Sequence, residues 1–159
     1  MKKLLLWILM LSFMITLCSC DGYVSSYSAL GLVRNQTSHS CEASFYSLKG
    51  QLVFKLKKAP SEGEGNISYS VQVDEGEIRL YYDTYGTKEE LACVKAGESV
   101  DDCGGYIEGG NTVYIIIEAT EKAKGKISVE LKRLTVLFGN GEIYEENKLY
   151  ICGTCDSFV

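Results

Sequence analysis

The sequence predicts an all-β fold, an antiparallel β-sandwich of jelly-roll type, placed after an N-terminal lipoprotein signal. Three observations carry this. Apolar and polar residues alternate with period two along most of residues 50–131. Glycine-bearing turn signals separate many of these runs at intervals of about 8–14 residues, a spacing suited to a sandwich rather than to βαβ units. Beyond the first segment, no stretch has a convincing helical period.

The first segment has the parts of an export signal. Lys2 and Lys3 are followed by an uncharged run from Leu4 to Leu17, in which Ser12 and Thr16 are the polar residues. That run is too short for a bilayer-spanning helix, which needs about 20 apolar residues, and fits a cleaved signal core of about 7–15. It ends in Leu17-Cys18-Ser19-Cys20, which resembles a bacterial lipobox: aliphatic, small, small, then the lipid-bearing cysteine. The resemblance implies cleavage before Cys20 and a diacylglyceryl group on its thiol. It also implies an extracytoplasmic protein held to the cell membrane. The expected organisation is a signal peptide at 1–19, a lipidated cysteine and flexible tether at 20–42, and a β-sandwich at 43–159. Serines and glycines without periodicity are the reason for reading a tether.

The strands follow in order. Leu52, Phe54 and Leu56 alternate with Val53, Lys55 and Lys57. Ile67, Tyr69, Val71 and Val73 form the next apolar face, and Ile78, Leu80 and Tyr82 the one after it. Val113, Ile115, Ile117 and Ala119 are backed by Tyr114 and Ile116, which marks a central strand. Ile127, Val129 and Leu131 complete the set. The expected turns are residues 62–66, Asp74-Glu75-Gly76, Gly104-Gly105, Gly109-Gly110-Asn111 and Lys124-Gly125. A last hairpin is expected within 134–151, around Gly139-Asn140-Gly141.

The stretches Gly76-Glu77-Ile78-Arg79-Leu80-Tyr81-Tyr82-Asp83, Thr112-Val113-Tyr114-Ile115-Ile116-Ile117 and Ala123-Lys124-Gly125-Lys126-Ile127-Ser128-Val129 resemble uncharacterised small lipoproteins of Gram-positive bacteria. In rhythm they are also similar to the jelly-roll sandwiches appended to secreted bacterial enzymes, some of which bind carbohydrate. The resemblance spans roughly residues 50–131. It implies a fold and a habitat, and it transfers no functional residue.

Composition narrows the partners. Cleavage would remove Lys2 and Lys3, leaving 14 of the 16 basic residues against 21 acidic ones. An acidic surface excludes nucleic acid and anionic lipid as partners, because both need a basic footprint. With Cys20 assigned to lipid, Cys41, Cys93, Cys103, Cys152 and Cys155 are the disulfide candidates, and one of the five is left over. Cys93 and Cys103 are the easiest pair to close, with Cys41 then reaching Cys152 or Cys155. The Cys152-Gly153-Thr154-Cys155 spacing is thioredoxin-like, but only four residues follow it, too few for the helix that activates a redox thiol. A four-thiolate zinc site is disfavoured by the wide Cys93–Cys103 gap and by the compartment.

His39 is the only histidine and falls in the expected tether, where geometry for catalysis is not held. Glu98, Asp101, Asp102 and Glu108 lack the ordered series of a calcium loop, and read as solvated loop charges. Asn35-Gln36-Thr37 and Asn66-Ile67-Ser68 match glycosylation sequons by chance, given the lipobox. Of the 11 tyrosines, Tyr81, Tyr82, Tyr85 and Tyr106 lie around the turns and are candidate ligand contacts, since their rings can stack on sugar faces. No catalytic constellation or cofactor motif emerges. The expected function is a membrane-anchored, non-catalytic binding module of the cell envelope with a protein or glycan partner. A carbohydrate- or peptidoglycan-binding module is the alternative, and an envelope hydrolase is less favoured.

Overall fold

A computed structural model describes residues 22–57 and 63–133. Eight strands run in chain order: β1 (Ser26–Leu30), β2 (Val33–Gln36), β3 (Ser40–Lys57), β4 (Gly65–Glu75), β5 (Glu77–Asp83), β6 (Glu89–Lys95), β7 (Ser99–Ile107) and β8 (Thr112–Arg133). All pairings are antiparallel. The all-β antiparallel sandwich expected from the alternation is the observed fold.

The two longest strands organise the rest. β3 and β8 form a ribbon whose register runs from Lys57↔Thr112 to Ser40↔Glu130, with irregularities between Phe45 and Leu48 and between Leu48 and Gly50. Such bulges bend a ladder and raise its local twist. On one side of the bend, β2, the first half of β3, the second half of β8, β4 and β7 make the first layer. On the other side, β1, the second half of β3, the first half of β8, β5 and β6 make the second. The layers are two halves of one hydrogen-bonded sheet.

The period-two pattern explains the core. Leu52, Phe54 and Leu56 on β3 and Val113, Ile115 and Ile117 on β8 share an interior with Ile67, Val71 and Val73 of β4 and with Ile78 and Leu80 of β5. Each is at most 1% exposed, and full burial of such a side chain contributes about 1.5–3 kcal/mol. At the closed end the turn between β6 and β7 is tied to β4 and the turn after it: Ala96 N–H donates to Gly76 O (2.8 Å) and Gly97 N–H to Val73 O (2.7 Å). The opposite, open end carries the β3–β4, β5–β6 and β7–β8 connections.

Several expectations are corrected. Lys124-Gly125 is no turn. It lies inside β8, where glycine is needed because the ribbon bends, and a Cβ on Gly125 would come within 2.3 Å of Gln72 O. Gly104 and Gly105 likewise lie inside β7, beside the register shift between Asn66 and Ile67. Residues 26–42 are no tether either. They form β1, β2 and the start of β3, and the edge strands β1 and β2 are exposed along nearly their whole length, which hides the burial contrast that marks a strand. His39 belongs to a turn that joins the layers, its carbonyl accepting from Leu131 N–H while that of Ser38 accepts from Lys57 N–H, both at 2.8 Å.

The N-terminal segment is fastened to the outside of the second layer. Tyr23 Oη donates to Asp83 Oδ2 (2.8 Å), and its ring meets Tyr114 edge-on with centroids 5.6 Å apart. Ser25 Oγ accepts from Val53 N–H at 2.9 Å, and β1 pairing begins at the next residue. Ile116, in the same outer row as Val53 and Tyr81, is fully buried.

The expected Cys93–Cys103 bridge is not formed. Cys93 is a free, exposed thiol on the edge strand β6, and Cys41 is free and buried in the core. Cys103 is disulfide-bonded, and so to neither of them. Cys152, Cys155 and the expected final hairpin lie outside the described residues.

Two outcomes test this packing. Gly125→Ala should destabilise the fold by about 1–3 kcal/mol in a denaturant melt, the cost of overpacking a closed site. Burial pushes the Cys41 thiol up to about 12. Alkylation at neutral pH followed by peptide mapping should therefore mark Cys93 and leave Cys41 unmarked until denaturant is added.

Candidate functional site at the open end

The open end gathers aromatic and acidic side chains from three connections. β5 ends at Asp83, a buried carboxylate that is 2% exposed. Its Oδ1 accepts from Tyr85 N–H (2.8 Å) and Gly86 N–H (2.6 Å), an Asx turn that folds residues 84–88 back on the sandwich. Its Oδ2 accepts from the Tyr23 phenol. One carboxylate thus holds both the N-terminal segment and the turn that presents Tyr85.

Alternation along β5 sends Tyr81 and Tyr82 to opposite faces. Tyr82 points inward, and its Oη donates to Glu89 Oε2 at 2.6 Å. Its ring lies flat over Gly105 of β7, where a Cβ would meet Cζ at 2.9 Å and φ is +69°. Only glycine satisfies both demands. Tyr82 therefore braces the two layers rather than offering a surface, being 7% exposed. Tyr81 lies on the outer face beneath Lys88, whose Nζ is 3.9 Å from the ring centroid and 2.6 Å from Glu118 Oε1.

Two tyrosines remain open to solvent, Tyr85 at 60% and Tyr106 at 45% exposure. The Tyr85 phenol lies near Glu108 and Asn111, and that of Tyr106 near Glu64, with Glu108 and Tyr85 close enough to act on it electrostatically. The result is two phenol rings edged by Glu64, Glu108 and Asn111, with Glu89 and Tyr82 beneath. Of the four tyrosines singled out by position, Tyr82, Tyr85 and Tyr106 meet at this end and Tyr81 does not. Glu64, Glu89, Asn111 and Gly105 escape sequence reasoning as members of this site, because their partners are supplied by other connections. Asp83-Thr84-Tyr85-Gly86 does carry a readable signal, an Asx turn closing a strand.

The electrostatics keep the phenols neutral. The neighbouring Glu64 carboxylate and then burial push Tyr106 up to about 12, and burial followed by Asp83 pushes Tyr23 up to about 12. Tyr82 is raised by burial and by Glu89, and Tyr85 by burial and by Glu108. The neutral Tyr82 phenol donates to Glu89, leaving the remaining carboxylate lone pairs at this end as acceptors for ligand hydroxyls.

A concavity lies on the outer face of the first layer. It is an open groove of about 340 Å³ whose lining includes Asn35, Glu42, Ser70, Gln72, Lys126 and Ser128. The acidic residues expected as loop charges are dispersed. Glu98 Oε2 accepts from Lys95 N–H (2.9 Å) and Asp102 Oδ1 from Cys103 N–H (2.7 Å), while Glu108 faces Tyr85. Among the described residues no three His, Cys, Asp or Glu side chains are placed to hold a metal ion.

No family model matches the chain. No curated protein matches it either. Among solved structures it is similar to a mutant of a family 29 carbohydrate-binding module complexed with mannohexaose, at 12% identity, covering 70% of this chain and 79% of that one with a TM-score of 0.38. It is also similar to TmCBM61 in complex with β-1,4-galactotriose (13% identity, 72% and 85% covered, TM-score 0.36). A third likeness is to Drosophila melanogaster CENP-C bound to CAL1 (13% identity, 70% and 83% covered, TM-score 0.30). At such distances, what this chain binds rests on its own residues.

The phenols give a test by pH. A tyrosine near 12 in the folded state and 10.0 by itself stabilises the fold fully below about pH 10, and that contribution is lost as pH rises through about 12. Ultraviolet titration of phenolate should show late-ionising tyrosines, with one fewer in Tyr106→Phe and one fewer in Tyr23→Phe.

Proposed function

We propose that this protein is a non-catalytic binding module of the cell envelope, anchored by lipid on Cys20, whose open end binds a neutral carbohydrate. The observation that carries this is the pair of exposed rings, Tyr85 and Tyr106, beside Glu108 and Glu64. Tyrosine rings offer apolar faces to the C–H faces of a sugar, and carboxylates and an amide accept or donate to its hydroxyls. The same carboxylates repel phosphate and sulfate groups, in keeping with the net charge of −5. The Asx turn at Asp83 fixes the backbone that presents Tyr85, which lowers the ordering cost of binding.

The groove beside Glu42 and Gln72 supports a second reading, because short polar side chains on a flat sheet face also suit a hydroxyl-rich ligand. Glycan arrays and calorimetry on the mature chain separate the two. Tyr85→Ala and Tyr106→Ala should each weaken binding of the selected glycan by about tenfold, equivalent to about 1.4 kcal/mol, in variants that still fold by circular dichroism. Binding that survives both and is lost in Glu42→Ala or Gln72→Ala moves the site to the groove. Silence across the array removes the carbohydrate reading.

A further inference from the structure

Gly22 is the first described residue, and a Cβ placed on it would lie 3.1 Å from Tyr114 Oη. From Tyr23 onward the chain is fastened to Asp83, Tyr114 and Val53, and then paired through β1. Cys20 precedes Gly22 by two residues, and two residues span at most about 7 Å. A lipid on Cys20 therefore has no leash. It leaves the sandwich beside the start of β8 and the end of β5, at the open end that carries Tyr85 and Tyr106. The bend at Ala119–Ala123 lies about 20 Å further along β8, since each strand residue advances about 3.3 Å.

We infer that the anchored protein stands on the bilayer by its open end, so that the Tyr85–Tyr106 site takes the neutral sugar headgroup of a membrane glycolipid. This rests on both parts of the proposed function, the lipid anchor and the carbohydrate site. Acyl chains inserted within reach of Gly22 bring this end of the sandwich to the headgroup layer. Glu64, Glu89 and Glu108 at that surface disfavour anionic phospholipid, whereas an uncharged sugar meets two ring faces and a set of acceptors. Tyrosine suits this position, being apolar in its ring and polar at its tip.

The test uses the full lipidated chain in phosphatidylcholine vesicles containing a neutral diglycosyl diacylglycerol and a headgroup-attached nitroxide quencher. In a Cys93→Ser background, with any thiol at Cys152 or Cys155 that still alkylates also changed to serine, a fluorophore is placed by Thr87→Cys at the open end or by Glu121→Cys at the bend. The open-end label should lose most of its emission and the bend label almost none. Equal quenching, or the reverse, overturns the orientation, while retention on the vesicles that depends on Cys20 leaves the anchor reading intact. A second measurement uses the mature chain with Cys20→Ser, which carries no lipid. It should float with glycolipid vesicles and not with phosphatidylcholine alone, and Tyr85→Ala with Tyr106→Ala should abolish flotation. Binding to a soluble oligosaccharide without flotation overturns the headgroup assignment and leaves carbohydrate binding standing.

Discussion

The bent β3–β8 ribbon is the constraint on which the rest of this structure depends. Because both strands continue through the bend, the two layers cannot slide or separate without breaking a ladder that runs from Lys57↔Thr112 to Ser40↔Glu130. The bend closes one end of the sandwich, and only residues without bulk fit there. Gly50 faces the carbonyl of Ser26, and Gly125 that of Gln72. Closing one end sends the connections after β3, β5 and β7 to the other, so the open end is where irregular backbone and polar side chains collect. Loops supported by a rigid frame are the usual place for recognition.

At that end, short hydrogen bonds fix the Tyr82 ring and the turn that carries Tyr85. Tyr82 is the keel of the arrangement: its ring fills the space that Gly105 vacates, and its hydroxyl engages Glu89. Asp83 contributes at a different level. With all its acceptor bonds directed at Tyr23, Tyr85 and Gly86, a carboxylate that is almost entirely removed from water is compensated by three donors. The geometry of the turn that presents Tyr85 and that of the N-terminal segment are consequently linked through one side chain.

Legibility in the sequence followed burial contrast. Strands with one wet and one dry face, such as Ile67 to Val73 and Ile127 to Leu131, were readable because their alternation is strict. The continuity of β8 was not, since Lys124-Gly125 carries the same composition as a turn and only the long-range pairing with Val73 and Phe45 reveals a bend within one strand. β1 and β2 were invisible for the opposite reason. Nearly every residue in them is exposed, and their order comes from backbone bonds to β3 that leave no trace in composition. At the site, exposed tyrosines near turns were recognisable as candidates. Their carboxylate partners were not, because Tyr106 and Glu64 are brought together by the β4–β7 pairing rather than by neighbourhood in sequence.

The direction in which the N-terminal segment enters has a mechanical meaning. The chain arrives at the open end beside Tyr114 and runs along β3 towards the bend, from Ser26↔Gln51 to Leu30↔Ser47. A pull on residue 22 away from the open end is thus aligned with the strand axis, across hydrogen bonds that lie perpendicular to it. The ladder is loaded in shear, so its bonds share the force and must fail together. A pull applied from the bend would open the same strand one bond at a time, like a zipper. The same ladder therefore resists a pull from the open end and yields to one from the bend.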